Sequence, residues 1–153
     1  AVDEGNGKTP DRYRRILGGI FSDCRRVLKP ESGRLAFTFH HWKPRAWADL
    51  TLALKQAGFH LEKYYILHSE SPISVHIRKL HALKHDAILT FSPTATERVW
   101  PFPAQINDDS RSFVAGCSAA LGWLLDSDCS EDDILEYWID LIQGENNDGA
   151  LPR

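Results

Sequence analysis

Apolar residues recur every three or four positions from Tyr13 through Ile16, Leu17, Ile20, Phe21, Cys24 and Val27 to Leu28. That spacing puts one continuous stripe on one face of a helix. Thr9 and Pro10 precede the run, and Asp11 falls in its first turn. The spacing therefore predicts a helix over 10–28, with Thr9 as N-cap, a proline where a missing N–H costs nothing, and an acid at the positive dipole end. Arg12, Arg14, Arg15, Asp23, Arg25 and Arg26 take the other faces. Gly18-Gly19 weakens the middle by about 1 kcal/mol per residue relative to alanine, which points to close packing or a local irregularity there.

After the breaker Lys29-Pro30-Glu31-Ser32-Gly33 the period changes to two. Leu35, Phe37 and Phe39 alternate with Ala36 and Thr38, predicting a strand over 34–40. Both faces are largely apolar, as in a central strand covered on both sides. A helix follows from Pro44 to Ala57, with Trp47, Leu50, Ala53, Leu54 and Ala57 on one face and Gly58 as its stop. A strand is expected over 59–67, a Ser- and Pro-bearing loop over 68–75, and a third strand over 82–91. The first two strands and their helix read as a right-handed βαβ unit, which makes the strands parallel. The third follows through a short polar connection and is expected antiparallel to the second. Trp100-Pro101-Phe102-Pro103 lies in a linker over 93–109, before helices over 110–125 and 131–143, the latter capped by Ser130 and opening on Glu131, Asp132 and Asp133. Residues 1–9 and 144–153 read as a flexible start and a disordered end. The expected organisation is thus an α/β unit over 10–92 with an acidic helical extension over 110–143.

Composition narrows the class without naming a chemistry. The 153 residues are 42% hydrophobic and 25% charged, as in ordinary globular domains. No apolar run reaches the roughly 18 residues of a membrane span, and no signal peptide is legible, so a cytoplasmic protein is expected. Cys24, Cys117 and Cys129 form no C-x-x-C pattern and read as reduced thiols. The net charge of −3 hides a division: residues 1–85 carry 15 Lys and Arg against 8 acids, and residues 86–153 carry 3 against 13. All seven histidines fall between His40 and His85. The basic part can attract phosphates, so DNA is admitted as a partner.

Two runs carry a family resemblance. Cys24-Arg25-Arg26-Val27-Leu28-Lys29-Pro30 followed by Gly33 to His41 resembles the helix, turn and fifth strand of class I S-adenosylmethionine-dependent methyltransferases. The continuation, Phe37-Thr38-Phe39-His40-His41, then Trp47, Ala57-Gly58-Phe59, His68-Ser69-Glu70 and Ala82 to Asp86, looks like prokaryotic adenine-specific DNA methylases. The resemblance spans about residues 10–91. It implies a partial Rossmann-like methyltransferase sheet, the fifth to seventh strands, with the helical part as a C-terminal extension. It also implies that activity needs a Gly-rich donor-binding turn and a D-P-P-Y type motif that holds the flipped base. Neither is present in these residues. S-adenosylmethionine is therefore expected to bind only when a missing N-terminal part completes the domain, through a complementary methyltransferase chain or a homodimer.

By position, ligands of open α/β sheets lie outside the carboxyl ends of the strands, which marks His40, His41 and Trp42. In such methyltransferases the loop between the sixth and seventh strands approaches the base, which marks His68, Ser69, Glu70, Ser71, Ser74 and His76. Ser and Glu can meet a base edge, while His and Trp can stack on one. A metal site is not expected, because His40 and His41 would point to opposite faces and His81 and His85, if extended, lie about 13 Å apart. An alternative reading is a non-enzymatic interaction module that docks through Trp123, Leu124, Trp138, Ile139 and Leu141, or a degenerate remnant.

Overall fold

The structure, a computed structural model, describes residues 9–69, 83–103, 106–107 and 109–144. Its elements run α1 (Pro10–Val27), β1 (Leu35–Phe39), α2 (Pro44–Ala57), β2 (His60–His68), β3 (His85–Ser92), α3 (Ser110–Asp126) and α4 (Glu131–Gln143). The class is α/β, as the periodicity indicated. Residues 1–8, most of the loop at 70–75 and the end at 145–153 lie outside the described residues.

The local signals set the boundaries. The Thr9 side chain accepts the Arg12 N–H at the start of α1. Gly58 ends α2 at φ 82°, a left-handed conformation that costs glycine nothing. Ser130 and Asp133 form a reciprocal capping box on α4. Gly33 is required for a different reason: a Cβ there would sit 2.6 Å from the Lys29 carbonyl oxygen and 2.8 Å from the Lys29 nitrogen. Both are backbone atoms of a turn that the Gly33 N–H closes onto the same carbonyl at 2.8 Å. This explains physically why a glycine stands between helix and strand.

The sheet order is β1-β3-β2, with β3 antiparallel to both neighbours. The antiparallel relation of β2 and β3 is as expected. The βαβ expectation needs correction: β1 and β2 run the same way, but β3 separates them. The expectation of a doubly covered central strand is also corrected. β1 is an edge strand among the described residues, with Phe37 and Phe39 packed on helices and Ala36 and Thr38 exposed. Alanine and threonine are too small to identify a buried face by pattern alone. β3 is the buried strand instead, with Ala87, Leu89 and Phe91 wholly inside.

The helices lie on one face of this sheet. Phe21 of α1 stacks on Phe37, which stacks on Phe91. Trp47 of α2 meets Phe39 edge-on at 4.8 Å, and its indole N–H donates to the His41 carbonyl at 2.7 Å. α3 packs on β2 and β3, and α4 packs on α2. The first helical tier therefore runs α1-α2-α3 above β1-β3-β2. The segment between β3 and α3 is held down by Trp100, whose indole donates to the Leu61 carbonyl at 2.8 Å. Trp123 and Leu141 of the acidic helices pack against the same hydrophobic core, in which Leu124 and Trp138 are buried. Lys55 of α2 ties the end of α3 down further, donating to the Leu124 carbonyl at 3.2 Å.

A candidate site at the histidine-rich rim

Because β1 and β2 run together and β3 runs back between them, one end of the sheet collects two strand ends and one strand start. β1 delivers His40, β2 delivers His68, and β3 begins with His85 and Asp86. The N-terminus of α3 adds Ser110. Alternation along the strands divides these groups between two faces. His40 and Asp86 are paired through Nδ1 and Oδ1 on the face away from the helices. His68 and His85 are opposite one another in the ladder on the helix side, with ring centroids 5.0 Å apart.

The helix-side group is anchored by backbone. Ser110 Oγ accepts the Lys84 N–H at 2.8 Å and lies 3.0 Å from His85 Nδ1. His68 Nδ1 donates to the Ser69 carbonyl at 3.1 Å. On the outer face, Asp86 occupies Nδ1 of His40 and leaves Nε2 as the ring nitrogen that can accept a proton or a ligand hydrogen bond. A carboxylate-oriented imidazole at an open strand end can act as a general base or hold a polar ligand edge.

His41 has a different task. Its Nδ1 accepts the Lys43 N–H at 3.0 Å, which fixes the turn into α2, where Lys43 itself gives no side-chain cap. Burial, then the charges of Lys43 and His40, push its pKa below the usual 6.5. The unfolded chain therefore takes up a proton at a higher pH than the native one. Stability tied to neutral His41 is present above about pH 6.5 and lost as pH falls through the lower native value. The ring is mostly in water, so the effect is expected to be small. Between pH 7.5 and 5.5 the urea midpoint of the wild type should fall more than that of His41→Asn, whose side-chain oxygen can still cap Lys43. Equal falls would remove His41 from the account.

Trp42 packs its ring on Phe113 of α3, with centroids 4.5 Å apart. Its indole nitrogen and the Ser69 hydroxyl are both buried without a hydrogen-bond partner among the described residues. Glu70, Ser71, Ser74 and His76 lie outside the described residues. Of the residues marked from sequence, His40 lies on the outer face of the rim, His68 stands at a strand end rather than in a loop, with Ser69 next to it, and His41 and Trp42 make structural contacts. Sequence reading overlooked Asp86, His85 and Ser110 as rim residues. The antiparallel expectation for β3 held the signal, because it already brings the start of β3 beside the ends of its neighbours.

No family model, curated protein or solved structure matches this chain. The rim is therefore judged on its own geometry. Among the described residues no group of three or more His, Cys, Asp or Glu is arranged to hold a metal ion, and no helix is long and apolar enough to cross a membrane. Burial holds the Cys117 thiol far up and protonated, so it is an unreactive core residue. A concavity of 340 Å³ lies away from the rim between α1, α2 and α4 and is lined by Asp11, Arg14, Arg15, Gln56 and Glu131. Two of its charges are paired, Arg14 with Glu131 at 3.8 Å and Asp11 with Arg45 at 3.6 Å. Arg45 also meets the buried Asp49, whose carboxyl burial pushes upward. The rim is the better candidate because it gathers three imidazoles, one of them oriented by a carboxylate, at one end of the sheet.

Proposed function

We propose that this chain is the C-terminal part, or a subunit, of an S-adenosylmethionine-dependent DNA methyltransferase of the adenine-specific kind, inactive by itself. The observation that carries the reading is the path β1-α2-β2-β3, with β3 turning back between two strands that run together. That is how the resemblance to a sheet's fifth, sixth and seventh strands would be built. The histidines then lie at the carboxyl ends of β1 and β2, where an α/β sheet receives its ligand. The basic first part supplies phosphate attraction.

The described residues do not fit the methyl donor. Donor binding needs a glycine turn that follows a strand and opens a helix, so that backbone N–H groups approach the ligand. Gly18, Gly19, Gly116 and Gly122 are inside helices, Gly58 and Gly144 end helices, and Gly33 leads from helix to strand. No methyl-transfer step is therefore assigned to these side chains. Their role in this reading is to border the base: His40, oriented by Asp86, and the His68–His85 pair offer hydrogen-bonding edges and flat rings.

Calorimetric titration with S-adenosylmethionine tests the reading. The chain alone should give no binding heat. Co-expressed with a chain that carries the Gly-rich turn and the D-P-P-Y type motif, it should co-purify, bind the donor and label DNA at the adenine amine. Donor binding by the chain alone would overturn its incompleteness. A complex that binds donor yet leaves DNA unlabelled would overturn the acceptor.

A further inference from the structure

Among the described residues, half of the apolar stripe on α1 is exposed. Gly18 faces α2, where its Cβ position is 3.4 Å from the Gln56 side chain, and Phe21 faces the sheet on Phe37. Tyr13, Ile16, Ile20 and Val27 are 55%, 52%, 52% and 68% exposed. At about 100° per residue these four fall within a wedge of roughly 60°, about 110° round from Phe21 and nearly opposite Gly18. The stripe thus looks away from α2. Since the helical tier runs α1-α2-α3 over β1-β3-β2, away from α2 means beyond β1. No described strand pairs with that edge of β1. The edge, Leu35 to Phe39, contains no lysine, proline or bulge to discourage pairing. The exposed edge and the stripe thus face the same side of the molecule.

We propose that a second copy of this chain occupies it, with β1 pairing antiparallel to β1 of the partner across a two-fold axis. A two-fold requires a self-complementary patch. An antiparallel strand edge is one, and the same rotation brings the two α1 stripes face to face above the junction. The result is a continuous six-stranded sheet. The four stripe side chains offer on the order of 400 Å² of apolar surface per copy. The strand edges, with Ala36 and Thr38 beside them, raise the area buried by two copies toward the roughly 1,200 Å² at which specific interfaces begin. The inference does not depend on the methyltransferase reading, although a donor-binding half that adds a strand to β1 would compete for the same edge.

Light scattering on the purified chain at about 50 µM, a concentration that populates micromolar dimers, should give twice the 17.3 kDa of one chain. Ile16→Asp with Ile20→Asp should weaken the dimer at least ~100-fold, because two carboxylates per copy would be desolvated on association. Both positions are half in water, so circular dichroism, and Tm read on protein dilute enough that dimerisation adds no stability, should stay close to the wild type. Val99→Asp, at an 88% exposed position outside α1 and the strands, should remain dimeric. Amide exchange should show protection at every position from Leu35 to Phe39 in the dimer, and loss at the outward amides in the double variant. A monomeric wild type would overturn the proposal. So would a dimer that survives the double substitution, or one in which the outward amides of β1 exchange freely.

Discussion

Trp138→Ala is expected to remove about 3–5 kcal/mol of unfolding free energy, the range for deleting a buried tryptophan. For a chain of this size that lowers Tm by roughly 6 to 20 °C. Trp138 is wholly buried and stacks on Trp47 at 5.3 Å with the rings 22° from parallel. Its indole N–H donates to Thr51 Oγ1 at 3.0 Å, and the Thr51 hydroxyl donates to the Trp47 carbonyl at 2.7 Å. Truncation opens a cavity between α2 and α4 and removes the donor that satisfies a buried oxygen. Trp138→Phe separates the two losses, since it keeps an apolar ring and should cost about 1 to 3 kcal/mol for the unsatisfied hydroxyl and the smaller volume. Urea titration by circular dichroism reads both. A cost under about 1 kcal/mol for the alanine variant, smaller than almost any buried-aromatic deletion, would mean that α4 does not unfold with the rest.

The second large effect reverses the sign that helix propensity alone gives. Gly122 lies inside α3, where alanine should be better by about 1 kcal/mol. A Cβ there, however, would meet Cγ, Cδ1 and Cδ2 of Trp100 at 2.6 to 2.8 Å. That indole is buried, held by its bond to the Leu61 carbonyl, tilted on Tyr64 at 5.5 Å and covered by the Arg98 guanidinium at 4.3 Å. It cannot retreat without leaving β2. Gly122→Ala is therefore expected to destabilise by about 1–3 kcal/mol. Gly19→Ala is the counterpart: nothing lies within 4 Å of its Cβ position, so the propensity gain of about 1 kcal/mol should appear in full. Opposite shifts of the urea midpoint would establish the Trp100 contact. A stabilised Gly122→Ala would show that Trp100 is not packed on α3.

The positions of the elements were legible because each carries its own punctuation. Thr9-Pro10, Pro44, Gly58 and Ser130 act within a turn of where they stand, and the helices start or stop there. Strand order was not legible. It depends on pairings such as Phe37 with Leu89 and Tyr64 with Leu89, between residues far apart along the chain whose apolar character fits several orders equally well. The same gap limited the site. His40 stood out at a strand end and His68 in the loop after a strand, but Asp86 could be joined to His40 only once β3 was known to lie beside β1. His41, a ring that reads as a ligand group, has its Nδ1 engaged in capping the turn before α2, a contact the sequence did not announce.

The central place of β3 also governs the order of events when the chain folds. The two strands that come first in the sequence share no ladder, so among the described residues neither has a hydrogen-bonding neighbour until residues 85–92 arrive. Closing β1 onto β3 means ordering all of α2 and β2 between them, a separation that slows folding because the loop entropy is lost before the contacts form. A nascent chain ending before His85 already holds α1 and α2, which pack on Phe37 and Phe39, but among the described residues it lacks the strand that joins β1 to β2. That interval is when the polypeptide is most open to aggregation and to capture by chaperones.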